Sequence, residues 1–293
     1  MEERHFGPVW FLPGENKGRY PNCNSVFING PDILIDPSAE RRRLEQIRDE
    51  HGVSEIWLSH VHEDHIKYLS LFGDHPLAIS EKDAPAITDI EMLLDSYGAE
   101  GDIRMYWRNY IREDFNFQSR RVSHFLKPGE VINLGTVTVD VIPAPGHTPG
   151  NVAFYFREPE VLFLGDYDLT KFGPWYGDLK SSIKDTISTI NLLRSKQAKV
   201  FLTSHEMGAL EKPSNRMWED YLNVIAVREE KLLQLLDEPR SLEEIVGACI
   251  VYWSPRDPKG FFELGERGHM VKHLEKLIDE HLVVQEGEKF VRL

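Results

Sequence analysis

Short apolar runs broken by turn residues set the pattern of the first third of the chain. Val9–Leu12, Ser25–Ile28 and Ile33–Ile35 each read as a strand, separated by PGENKGRYPN and NGPD. The Gly, Pro, Asn and Asp at those breaks suit the backbone angles that turns need. A charged helix is predicted over residues 39–51, with Ser38 as its N-cap and Gly52 as its stop. Residues 55–59 read as the next strand. Over residues 81–118 the spacing changes: Ile87, Ile90, Leu93 and Leu94 fall on one helical face of a mostly polar stretch. Residues 137–142, 161–164 and 199–203 read as three more strands. Between the last two, Ile183, Ile187, Ile190 and Leu193 recur at helical spacing and predict a helix over residues 182–194. Strands interleaved with helices in this way predict an α/β domain.

Beyond Pro213 the pattern changes. Trp218, Tyr221, Leu222, Ile225 and Leu232 mark a long amphipathic helix, ended by Pro239-Arg240-Ser241. Ser241-x-x-Glu244 is a capping box for the next helix. Met270, Val271, Leu274, Leu277 and Ile278 share one face of a third helix over residues 266–281. Residues 282–284 and 289–293 read as a terminal hairpin. Three helices and a hairpin have the outline of a winged helix. Two units are therefore expected: residues 1–212, and a helical, winged-helix-like domain over residues 213–293. His269 and His273 are spaced like a helical metal pair, but no third ligand is near in sequence. A polar helix face is the expectation for both.

Composition narrows the function classes. Of 293 residues, 41% are hydrophobic and 28% charged, as in ordinary globular proteins. No window approaches the ~18 consecutive apolar residues of a membrane span, and MEERHFGPVWFLPGENKG has no apolar leader core. No membrane partner is expected. Cys23 and Cys249 are the only cysteines, which excludes a disulfide framework and any CxxC site. The expected location is cytoplasmic. A net charge of −14 repels phosphate backbones at long range. The tail shares that acidity, with 11 Lys and Arg against 16 Asp and Glu from Pro213 onward. A small-molecule substrate is expected instead of nucleic acid, and association with a second copy is left open.

The chemistry-bearing signal is Ser59-His60-Val61-His62-Glu63-Asp64-His65, directly after an apolar strand. Imidazole nitrogen and carboxylate oxygen are ligands of first-row metals, zinc above all. Alternating His60 and His62 on a strand end point the same way. The strand over 137–142 runs into Pro143-Ala144-Pro145-Gly146-His147. Those over 161–164 and 199–203 stop at Gly165-Asp166 and Ser204-His205. Four apolar strands thus end at a potential ligand, and sites in α/β sheets sit at the carboxyl ends of strands. The loop from Asp166 to Asp178 carries Phe172 and Trp175, which either wall a substrate site or pack the loop onto the core. Asp168 in that loop either partners a ligand histidine from outside or caps the loop, and the cap is the favoured expectation.

His60-x-His62-x-Asp64-His65, followed in order by His147, Asp166 and His205, resembles the metallo-β-lactamase superfamily. Glyoxalase II, lactonases and related thioester and phosphodiester hydrolases belong to it. The resemblance covers roughly residues 8–210. It implies an αββα sandwich, two facing sheets with helices outside. It also implies two divalent metal ions, zinc first and iron or manganese as alternatives. His60, His62 and His147 would hold one, Asp64, His65 and His205 the other, and Asp166 would bridge them.

The donor chemistry suits that assignment. Five neutral imidazoles and two carboxylates bring −2 against +4, and the residual charge would stabilise a bridging hydroxide and a developing oxyanion. Asp64 can ligate through one oxygen and orient that hydroxide through the other. Asp64 and Asp166 are the expected catalytic residues. The implied activity is a binuclear metal-dependent hydrolase of a thioester, ester or lactone of a small anionic metabolite. Phosphodiester or RNA hydrolysis on the same metals is one alternative. Iron-dependent sulfur dioxygenation, with His60, His147 and Asp166 as a facial triad, is another.

Overall fold

The computed structural model describes all 293 residues. A seven-stranded sheet runs in the order β1 (Arg4–Phe6), β2 (Val9–Leu12), β3 (Ser25–Ile28), β4 (Ile33–Ile35), β5 (Glu55–Trp57), β6 (Leu77–Ile79) and β7 (His124–Phe125). Its first four strands pair antiparallel, and β4 to β7 pair parallel. The second sheet comprises β8 (Val131–Asn133), β9 (Thr138–Pro143), β10 (Val152–Phe156), β11 (Val161–Phe163), β12 (Val200–Leu202) and β13 (Ala209–Glu211). Only β11 and β12 are parallel in it.

Alternation along these strands sorts side chains into layers. Val26, Ile28, Ile33 and Ile35 of the first sheet meet Val139, Val141, Phe154, Phe163 and Leu202 of the second in one buried cluster between the sheets. Phe27, Leu34 and Ile56 point the other way, onto α1 (Arg41–Gln46), α2 (Ala84–Thr88), α3 (Ile90–Ser96) and α4 (Gly101–Glu113). Ala153, Leu162 and Phe201 face outward from the second sheet. They pack on α5 (Ile183–Arg194) and the start of α6 (Asn215–Leu235). This is the expected αββα sandwich. A period of two, buried on both faces, is what makes the central strands read as unbroken apolar runs.

Several elements differ from the sequence pattern. The helix expected over residues 39–51 begins at Arg41 with Glu40 at its N-cap, and ends in a π turn before Gly52. Ser38 is not its cap, because its hydroxyl accepts from the Lys67 N–H at 3.0 Å. The 81–118 stretch splits at Asp89, which is extended and caps α3 through Glu91 N. Strand β10 and the short strands β1, β6, β7, β8 and β13 were outside the pattern's reach.

The tail adds β14 (Arg240–Ser241), α7 (Leu242–Gly247), α8 (Lys259–Asp279), β15 (Val283–Glu286) and β16 (Lys289–Arg292). Strand β14 pairs with β16. The Ser241–Glu244 capping box forms, with both hydrogen bonds present. Helix α8 starts at Lys259, seven residues before the expected position, with Pro258 at its N-cap. Helix α6 belongs to two clusters: Trp218 and Tyr221 pack on the second sheet, and Leu232 packs in the tail with Ile245, Met270 and Leu274. His269 and His273 do not lie on a polar face. Both are fully buried, because the loop after Asp166 packs over them.

Candidate metal centre

The seven predicted residues come together at one end of the sandwich. After β5 the chain bends at Ser59 and His60 and is extended at His62, then a 3-10 turn over Glu63–His65 folds Asp64 and His65 back. The opposite sheet supplies His147 after β9, Asp166 after β11 and His205 after β12. Ligating atoms of His60, His62, His147 and Asp166 lie within 4.8 Å of one another, and so do those of Asp64, His65 and His205. Asp166 stands between the two groups. Its Oδ2 is 3.4 Å from His147 Nε2 and 3.3 Å from His205 Nε2, and its Oδ1 is 2.8 Å from His65 Nε2.

Each of the five rings is held at its far nitrogen. His62 Nε2 is 2.7 Å from Asp178 Oδ2, and His65 Nδ1 is 2.9 Å from Asp36 Oδ2. His147 Nδ1 donates to the Trp175 carbonyl at 3.1 Å. His205 Nδ1 donates to the carbonyls of Gly18 and Asn22. Ser59 Oγ gives its proton to Asp36 at 2.7 Å, so it accepts from His60 Nδ1 at 3.0 Å. Partners of this kind fix the tautomer and leave the lone pair on the inner nitrogen.

Those lone pairs face one another. His147 Nε2 is 3.1 Å from His60 Nε2 and 3.0 Å from His62 Nδ1. His65 Nε2 and Asp166 Oδ1 are buried and make no hydrogen bond despite their 2.8 Å approach. Buried polar atoms ordinarily find partners. Nitrogen and oxygen atoms that converge this closely fit a cation in place of protons, and the donor set suits divalent first-row metals.

Protonation follows the same geometry. Burial drives His60 well below the ordinary histidine range, with His65 and His147 adding to the effect. Burial and the nearby His62 bring His147 down to about 4. Burial also disfavours charge on His62, but Asp178 outweighs it and lifts His62 to about 9. Burial would raise Asp166, yet His65 and His205 hold it well below the carboxylate range. A cation entering the site therefore has protons to displace.

Above these groups lies a cavity of 820 Å³. Tyr20, Trp107, Trp175 and Phe172 wall it from the sandwich, and Tyr252 and Phe261 close it from the tail. Phe172 and Trp175 do both things the sequence left open, since they also pack against the tail's apolar cluster. Lys171 and Arg256 are basic groups on this wall. Glu63, buried beneath it, accepts from Tyr20 Oη at 2.7 Å and Tyr97 Oη at 2.5 Å. Asp168 caps its loop, as expected, by accepting from Thr170 N and Oγ1.

Sequence reasoning missed Asp36, Asp178, Glu63 and the Trp175 carbonyl. Asp36 follows the apolar strand β4, so the rule of strands ending at polar residues would have found it. Asp178 lies in the loop after Asp166 and has no comparable signal.

The family described as the metallo-beta-lactamase superfamily matches residues 18–205. A Streptococcus pyogenes protein named "Probable metallo-hydrolase" is 31% identical over 161 residues, 53% of this chain and 62% of that protein. The chain thus spans less than two thirds of that relative's length. A hydroxyacylglutathione hydrolase of Hyphomonas neptunium is 31% identical over 139 residues, 47% of this chain and 43% of that one. A metallo-beta-lactamase family protein of Thermus thermophilus has a similar fold. Its crystal structure aligns with a TM-score of 0.72 at 22% identity, covering 98% of this chain and 99% of that one. That likeness includes the tail.

Proposed function

The chain belongs to the metallo-β-lactamase superfamily, and from that membership we propose that it is a binuclear metal-dependent hydrolase of a thioester, ester or lactone. In this reading His60, His62 and His147 hold a metal at a first position, and Asp64, His65 and His205 hold one at a second. Asp166 would bridge them. The observation that carries it is the convergence of the inner ring nitrogens, with every far nitrogen already partnered. Zinc suits these donors best, with iron and manganese as alternatives.

Two divalent ions, when bound, lower the pKa of a water and polarise the oxygen of the bond to be cleaved. The chain's own residues do the rest. Asp166 sets the spacing, because it alone reaches nitrogens of both groups. Asp64 has one oxygen 3.5 Å from His205 Nε2, and its other oxygen would be free to orient an attacking water. Tyr20, Tyr97 and Trp107 line the cavity and keep bulk water from the acyl group. Lys171 and Arg256 hold the anionic part of a small metabolite, since neither is tied up in an ion pair with the protein. The relative named hydroxyacylglutathione hydrolase favours an acyl substrate over a phosphodiester. The acidity of the whole chain disfavours RNA.

A panel of thioesters, lactones and phosphodiesters, tried with zinc-, iron- and manganese-loaded protein, tests the proposal. Turnover is expected on an acyl substrate. Cleavage confined to phosphodiesters would replace this reading, and so would oxygen uptake with a persulfide on the iron-loaded form.

A further inference from the structure

The loop that follows Asp166 rests on a buried cation. Arg228, on α6, is 3% exposed and forms no ion pair. Its guanidinium donates to the carbonyls of Phe172 at 2.8 Å and Pro174 at 3.0 Å, and to Tyr176 Oη at 3.1 Å. It also lies 4.9 Å from the Phe172 ring centroid and 5.5 Å from that of Tyr176. Burying a guanidinium without a counter-charge is costly unless every donor is used. Here the donors go to one loop.

Helix α8 grips the same loop. His269 Nδ1 donates to Gly265 O at 2.8 Å, so its Nε2 accepts from Tyr176 N at 3.3 Å. Tyr176 Oη lies 3.0 Å from His273 Nε2, whose other nitrogen is 3.3 Å from Glu229. Each member is satisfied. Such a network specifies one arrangement of the backbone it holds.

The held segment reaches the first metal position and not the second. Trp175 O orients His147, Asp178 orients His62, and Ser181 Oγ donates to His147 O at 2.6 Å. Partners at the second position come from elsewhere: Asp36 after β4, and the carbonyls of Gly18 and Asn22. We propose that the tail, through the loop that Arg228 and His269 hold, sets the metal affinity of the first position selectively, with Arg228 and His269 as positioning residues for His62 and His147; a separate tail contact, Tyr221 Oη donating to the Asp166 carbonyl, bears on both positions. This rests on the two-metal reading above.

The test uses full-length, zinc-loaded protein carrying Arg228→Met, Arg228→Lys or Leu277→Ala. Leu277 is buried in the tail's apolar cluster and serves as a control for lost stability. A chelator is titrated in, zinc per chain is measured, and anomalous scattering shows which position empties. Arg228→Met should weaken the first position by about 10–100-fold, the usual effect of removing outer support, with the second held as in wild type. Arg228→Lys should recover part of the loss, because an ammonium still donates to carbonyls. Equal loss from both positions would overturn the inference. So would the same selective loss in Leu277→Ala at a matched fall in Tm. Wild type holding fewer than two ions would instead overturn the two-metal reading, and this inference with it.

Discussion

The two sheets deliver their donors to the centre in different ways. The first sheet places His60, His62, Asp64 and His65 from one strand end, through one short connecting segment and one 3-10 turn. The second places His147, Asp166 and His205 from three strand ends, one residue each. Short-range backbone geometry is enough for the first group. The second needs the β9–β10–β11–β12 pairings in correct register, because a one-residue slip would turn each strand's side chains over. Damage to the first group should therefore stay local, except at His62, whose outer partner Asp178 comes from the loop after Asp166. The second group should be sensitive to distant parts of the chain, and its His147 to the tail-held loop through the Trp175 carbonyl.

The largest effect should fall on the residue that joins the two groups. Asp166→Ala should cut kcat by roughly a thousandfold, the scale of losing a main electrostatic stabiliser, with a smaller change in KM. Steady-state kinetics at full metal loading measures it. Unchanged turnover with both metals bound would mean the bridge is elsewhere.

Removing the tail comes next. We propose a division at residues 212 and 213, but α6 crosses it functionally, since Trp218 and Tyr221 cover the second sheet. A chain ending at residue 212 would expose Leu162 and Phe201 as well as the cavity. It should aggregate or lose activity in size-exclusion and turnover assays. A monomeric, fully active fragment would show that the second sheet needs no outside support.

Asp36→Ala and Asp178→Ala sharpen the contrast. Asp178→Ala removes the partner of His62, and Asp36→Ala removes that of His65 and also the acceptor that orients Ser59 toward His60; each should cost about 10–100-fold in metal affinity. Asp36→Ala should act at the His65 side and Asp178→Ala at the His62 side, as chelator titration with crystallography would show. Loss from both positions in Asp178→Ala would mean the two groups are not separable.

The smallest effect concerns protons in the metal-free protein. His62 is lifted from its ordinary 6.5 to about 9. A histidine with a raised folded pKa adds stability that is complete below its unfolded value and lost as pH rises through the folded one. Metal-free wild type should therefore lose Tm, relative to Asp178→Asn, between about pH 6.5 and 9. Parallel Tm curves for the two proteins across that range would remove Asp178 as the cause.

The same contrast explains what the sequence made legible. The candidate ligands could be picked out because all seven follow the ends of four apolar strands, four of them clustered after one, a pattern visible in one dimension. Asp36 follows that pattern after β4 and could have been read. The outer partners Asp178 and Trp175 O could not, because they depend on how the loop folds against α6 and α8. His269 and His273 were misread for the same reason: a polar pair on a helix looks solvated until the loop that covers it is in place. Glu40 displaced Ser38 as the cap of α1 because the Ser38 hydroxyl had a tertiary partner, the Lys67 amide.

The central claim is that one chain holds two metals between the two sheets. Elemental analysis of protein purified from unsupplemented cells, and again after loading, tests it most directly. The account predicts two divalent ions per chain, one at His60, His62 and His147 and one at Asp64, His65 and His205. A reproducible single ion after loading, with the Asp64, His65 and His205 position empty, would contradict it.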